Sequence, residues 1–114
     1  MKPDYYLQCS AAGKGILKLS PKFREFLKVC ELEKYYELEC FEFIDRFQFN
    51  FYLGNAFKYL WRLGAKSDDY LSDLKKSRYY FYCALDRELV NDYPWVSEVI
   101  DTINIIIILL EVKE

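Results

Sequence analysis

Apolar residues recur along most of this chain at spacings of three and four, the repeat of helices with one buried face. Ser20-Pro21 opens the first clear case, pairing a capping side chain with a proline suited to the first helical position. That helix is predicted to run to about residue 32, with Phe23, Phe26, Leu27 and Cys30 inward and Lys18, Lys22, Arg24 and Lys28 outward. A second is predicted over residues 35–47, with Tyr36, Cys40, Phe43, Ile44 and Phe47 on the apolar face. A third covers residues 50–63 and ends at Gly64, a residue suited to the left-handed position that closes a helix. Ser67 or Asp68 is then expected to cap a fourth helix over residues 69–90, with Asp69 in its first turn. Its core candidates are Leu71, Leu74, Phe81, Leu85 and Leu89, and Pro94 bars further helix just before it.

Two stretches are less regular. Pro3 and the glycines of residues 11–15 disfavour regular structure, so residues 1–19 read as an irregular arm with a surface loop. Near the other end, Val96, Val99, Ile100, Ile103, Ile107 and Leu110 keep a helical stripe, yet residues 105–108 are an unbroken β-branched run. Ser97, Asp101, Asn104 and Glu111 hold helical phase for four turns, which decides for helix. Ile106 and Ile108 widen the apolar face beyond what one neighbour covers, so a homo-oligomer through this helix is predicted. The expected fold is all-α, a single domain built as a bundle of four to five helices with an irregular N-terminal segment. Its parts are an arm (1–19), a first helix (20–34), a central block (35–92) and an apolar C-terminal helix (94–112).

Composition narrows the function. With 114 residues, 53% of them hydrophobic, the chain fits one folded domain and not a disordered segment. Eleven Tyr and nine Phe favour pockets and subunit contacts. A net charge of -2 gives no bulk attraction to DNA or to an acidic membrane. The absence of His excludes a His-containing zinc site, and four Cys without a CxxC pair read as reduced thiols in the cytoplasm. Residues 1–9 lack the apolar segment of a signal peptide, and residues 103–110 are too few to span a bilayer.

The candidate chemistry lies in two polar stripes. Asn55, Lys58 and Arg62 share one helix face with Gly54 beside them; Asp73, Lys76 and Tyr80 repeat the spacing on the next helix. Together they predict an anion pocket. Lys58, Arg62 and Lys76 would hold and neutralise phosphates as the catalytic cations, Arg62 offering a two-pronged donor. Gly54, Asn55 and Tyr80 would complete the nucleotide contacts, with Tyr59 or Tyr80 stacking on a base. Glu39, Glu42 and Asp73 are oxygen ligands suited to Mg2+. The plainer reading of each charge is an ion pair between helices, such as Glu39 with Lys58 or Asp73 with Arg62. Gly13-Lys14-Gly15 lacks the Ser or Thr that follows Gly-Lys in a Walker loop.

Several phrases recur in a known order. Glu39-Cys40-Phe41-Glu42 stands where a Glu-Cys-Ile-Asp type helix is expected. Phe51, Gly54, Asn55, Ala56, Lys58, Tyr59 and Arg62 match Phe-x-x-Gly-Asn-Ala-x-Lys-Tyr-x-x-Arg, Lys66 matches the lysine after the turn, and residues 73–80 read Asp-Leu-Lys-Lys-Ser-Arg-Tyr-Tyr. In these phrases the chain resembles a small phage and prophage family, long catalogued as a domain of unknown function, that includes a nucleoside-monophosphate kinase without a Walker motif. The resemblance covers residues 39–82 well and Pro3-Asp4-Tyr5-Tyr6 faintly, where Tyr5 replaces the histidine of the family pattern. It implies nucleotide binding and, where catalysis is retained, phosphoryl transfer in the host cytoplasm. A tyrosine cannot take over proton transfer from histidine near neutral pH, so turnover is expected to be changed or lost if that histidine moves a proton. One alternative is a non-catalytic oligomer that binds a nucleotide or a host protein. The other is an all-α metal-dependent nucleotide pyrophosphohydrolase using Glu39/Glu42 and Asp69/Asp73, the second pair spaced four apart where that superfamily uses three.

Overall fold

The molecule is described by a computed structural model covering residues 8–65 and 68–113, with the Tyr36 side chain left out. Pro3, Tyr5, Tyr6, Lys66 and Ser67, and the Tyr36 core assignment, therefore lie outside the described residues. Six α-helices occur among those described: α1 (Ala11–Lys18), α2 (Pro21–Val29), α3 (Cys40–Phe47), α4 (Phe51–Trp61), α5 (Tyr70–Asp86) and α6 (Trp95–Val112). The all-α expectation holds, with one more helix than the largest number predicted.

The additional helix is α1, which overturns the irregular reading of residues 11–18. Ser10 caps it, its hydroxyl oxygen accepting the Gly13 backbone N–H at 3.0 Å. Ile16 and Leu17 are buried against the core. Gly13 is needed because α4 passes so closely that a Cβ there would collide with the Leu60 carbonyl oxygen. The same residue that argues against helix on propensity permits the packing that makes the helix worthwhile.

Residues 35–47 do not form one helix. A 3₁₀ turn at Tyr35–Glu37 is followed by extended backbone at Leu38 and Glu39, and α3 starts only at Cys40. The break follows from Glu39 acting as N-cap, with the Glu42 carboxylate accepting the Glu39 backbone N–H at 3.2 Å. It also turns Tyr35 inward, edge-on to Phe23 at 5.7 Å and to Trp61 at 6.0 Å. Gln48 closes α3 in the left-handed region at φ 51°, and the Asn50 side chain caps α4 by accepting from Tyr52 N and Leu53 N.

Helix α4 runs through the centre, burying Leu53, Ala56, Phe57, Leu60 and Trp61. It packs on α5, α3 and α1, while α6 closes the other side against α5, α2 and α1. Gly64 takes φ 79°, as its closing position required, with the Tyr70 ring packed where a Cβ would stand. Asp69, rather than Ser67 or Asp68, caps α5, accepting from Ser72 N at 3.0 Å. The helix stops at Asp86, short of the predicted residue 90, and Glu88 bends away at φ 57°. Leu85, beside the buried stripe, and Leu89, past the helix end, are exposed at 37% and 41% and are not core residues.

Residues 105–108 are helical, within the eighteen-residue α6. Its buried side (Trp95, Val96, Val99, Ile100, Ile103 and Ile107) continues an aromatic centre in which Trp95 meets Phe23 at 4.9 Å and Phe57 at 5.5 Å. Glu98 fastens this helix to the start of α2, accepting from Ser20 Oγ at 2.7 Å and from Lys22 N at 3.0 Å. No helix among the described residues is long and apolar enough to cross a membrane.

Candidate functional site

The two polar stripes meet at one tyrosine. Tyr59, on α4, presents its ring to Lys58 Nζ at 4.9 Å, to the Arg62 guanidinium at 4.9 Å, and to Lys76 Nζ at 5.5 Å from α5. These distances are within range for attraction between a cation and the negative face of an aromatic ring. Tyr80 stacks on Tyr59 with ring centroids 6.0 Å apart and planes 7° from parallel. Three positive groups are thus held around an aromatic pair, two of them from α4 and one from α5.

Helical spacing explains the convergence. Lys58 on α4 and Arg62 at its C-cap are four apart, Lys76 and Tyr80 are four apart on α5, and the two helices pack side by side. Their register is supported from within, where Ser77 Oγ donates to the Ala56 carbonyl oxygen at 2.9 Å. Arg62 is only 7% exposed, so its guanidinium is fixed by packing, whereas Lys76 is exposed. Behind them lies Cys40. Burial pushes its thiol up to about 12, while the nearby positive charges of Lys58 and Arg62 pull in the other direction.

On the α5 side the pair borders a cleft of about 550 Å3 lined by Tyr59, Asp69, Ser72, Lys76, Tyr79 and Tyr80, among others. Lys75 also lines it, and forms an ion pair with Glu111 of α6 at 3.8 Å. Tyr79 stands 63% exposed and meets the Tyr80 ring edge-on at 5.3 Å. Lys75, Ser72 and Tyr79 were not singled out by the sequence reading. Their spacing on α5 matches the face that carries Lys76, which is the signal that would have found them.

The other expected contacts are divided from this cleft. Gly54 and Asn55 line a separate groove of about 360 Å3 with Phe41, Ile44, Phe51 and Lys58. A Cβ on Gly54 would meet only the Ile44 side chain, at an ordinary 3.6 Å, and the Asn55 amide donates to the Phe51 carbonyl at 2.8 Å. Lys58 is the residue common to the groove and the tyrosine cluster.

Of the acids, Asp69 borders the cleft and the others stand apart from it. Glu39 and Glu42 stand at the start of α3, Asp69 caps α5, and Asp73 follows in the first turn of α5 at 7% exposure. Among the described residues no group of three His, Cys, Asp or Glu is placed to hold a metal ion. The site's defining part is thus a set of cations gathered on an aromatic ring.

Residues 32–82, which contain α3, α4 and most of α5, match a family described as a protein of unknown function, DUF3310. No curated protein and no solved structure matches the chain.

Proposed function

We propose that the protein, whose residues 32–82 match that family of unknown function, binds a nucleotide at the cationic cluster around Tyr59, as a phage-type protein related to a Walker-less nucleoside-monophosphate kinase. The observation that carries this reading is the gathering of Lys58, Arg62 and Lys76 on the ring of Tyr59, with Tyr59 and Lys76 lining a cleft. Phosphate oxygens bind Lys76 on the cleft wall through charge-assisted hydrogen bonds, Arg62 adds positive charge from its buried place beside Tyr59, and Tyr79 offers its exposed ring to a base. Gly13-Lys14-Gly15 plays no part as a phosphate loop: it is helical, and Gly13 is buried under α4.

In a kinase, the same cations would neutralise the oxygens of the transferring phosphoryl group. The described acids supply no three-ligand set for Mg2+, so no step here is assigned to a protein-held metal. Glu42 accepts from Glu39 N and Asp69 from Ser72 N, so one acid of each pair that a pyrophosphohydrolase would use also serves to cap a helix.

Calorimetric titration with nucleoside mono- and triphosphates, with and without magnesium, tests the proposal on the wild type and on Lys76→Ala. Lys76 is exposed, so the variant keeps its fold. Losing one charge-assisted contact should weaken binding about tenfold or more. Absence of binding across the panel would reject the nucleotide reading and leave the cluster as a device for packing α4 on α5.

A further inference from the structure

The C-terminal two turns of α6 present to solvent what a helix normally hides. Ile105, Ile108, Leu109 and Val112 are 59%, 61%, 58% and 77% exposed, at the spacing of a helix–helix seam. Tyr82 continues the face onto α5, because its hydroxyl oxygen accepts from Asn104 of α6 at 3.1 Å. We infer that this face is a self-association surface, on which a second copy of the chain packs antiparallel through Ile105, Ile108, Leu109 and Val112.

Two properties select a second copy in that orientation. One is charge. Exposed Asp101 lies at the N-terminal end of the seam, while Lys113 and Lys75 lie at the C-terminal end, Lys75 being paired with Glu111. A two-fold axis level with residue 107 brings Ile105 beside Leu109 of the other copy and Asp101 to the level of Lys113. Parallel packing would instead oppose Asp101 to Asp101. An isologous contact repeats every such pairing twice, and antiparallel helices also oppose their dipoles favourably. The other property is area. Eight aliphatic side chains, each contributing on the order of 100 Å2, come to about 800 Å2, the size of a weak, concentration-dependent dimer contact. The Tyr82 rings at the margin extend it.

Sedimentation velocity across a concentration series, supported by light scattering, reads the association directly. Wild type should be dimeric, and Ile108→Glu, at an exposed position near the axis, should be monomeric with an unchanged circular-dichroism spectrum. Asp101→Lys should weaken the dimer several-fold, and adding Lys113→Asp in the same chain should restore it. A wild-type monomer at every concentration overturns the inference, including when the monomer instead binds lipid vesicles or another protein. A dimer unaffected by Ile108→Glu places the contact elsewhere and overturns it too. Failure of Lys113→Asp to rescue Asp101→Lys overturns the antiparallel arrangement.

Discussion

Tyr59 and Tyr80 lie nearly parallel, 7° apart, although they belong to different helices, so the α4–α5 contact and the cation cluster are one construction. Removing the Tyr80 ring should cost stability as well as ligand affinity. An aromatic pair contributes about 0.5–1.5 kcal/mol beyond the area it buries. Tyr80→Ala is expected to lower unfolding free energy by at least that amount in urea titration, whereas Tyr80→Phe should retain most of it. If both variants fall equally, the hydroxyl and not the stack holds the helices.

Gly13 and Gly15 make a contrasting pair within α1. A Cβ at Gly13 meets the Leu60 carbonyl; one at Gly15 meets nothing within 4 Å. Gly13→Ala should therefore destabilise by about 1–3 kcal/mol through forced displacement of α1 from α4. Gly15→Ala should stabilise by up to about 1 kcal/mol through helix propensity alone. Thermal melts of the two variants should move in opposite directions.

The Ser20–Glu98 hydrogen bond predicts a pH effect. The Ser20 hydroxyl, then the Lys22 backbone N–H, hold the Glu98 carboxyl below its ordinary value of 4.5. The folded state thus binds this proton less readily than the unfolded chain. Its stabilising contribution is present in full above the unfolded-state value and is lost as pH falls through the lowered one. Glu98→Gln should be less stable than wild type at neutral pH, and the gap should narrow on acidification. A gap independent of pH would show that shape, not charge, makes the contact.

Thiol reactivity should divide the cysteines. Burial raises both Cys9 and Cys40 to about 12, suppressing the thiolate that reacts, while Cys30 and Cys83 are half-buried. In native protein, a thiol reagent should modify Cys30 and Cys83 first and leave Cys9 and Cys40 until denaturant is added. Early labelling of Cys40, read by peptide mass, would mean that the space behind Lys58 and Arg62 opens readily.

Periodicity revealed α2, α4, α5 and α6 because each buries a continuous apolar stripe, and it placed Lys58, Arg62, Lys76 and Tyr80 on faces that do meet. It failed where a local preference yields to packing. Gly13 reads as a loop residue until α4 is known to pass beside it, and Glu39 reads as one more residue on a polar face although it starts a helix. Leu85 sits one position beyond the buried stripe of Leu74, Ser77, Phe81 and Ala84 on α5, and Leu89 falls past the end of the helix. Gly54 and Asn55 share a helix with Lys58, yet the wall they line faces α3 and not α5. Helical phase tells which residues stand together; it does not tell which neighbour they face.

The position of Trp95 at the meeting point of Phe23, Phe26, Phe49 and Phe57 has a consequence for the order of events during synthesis. Those rings come from α2, α4 and the turn before α4, and their common partner is translated well after them. A nascent chain halted before α6 would carry the α4–α5 pair with one side of its aromatic centre open to water. Completion of this core therefore waits on α6 leaving the ribosome, and until then the growing chain offers chaperones a target that the folded core conceals.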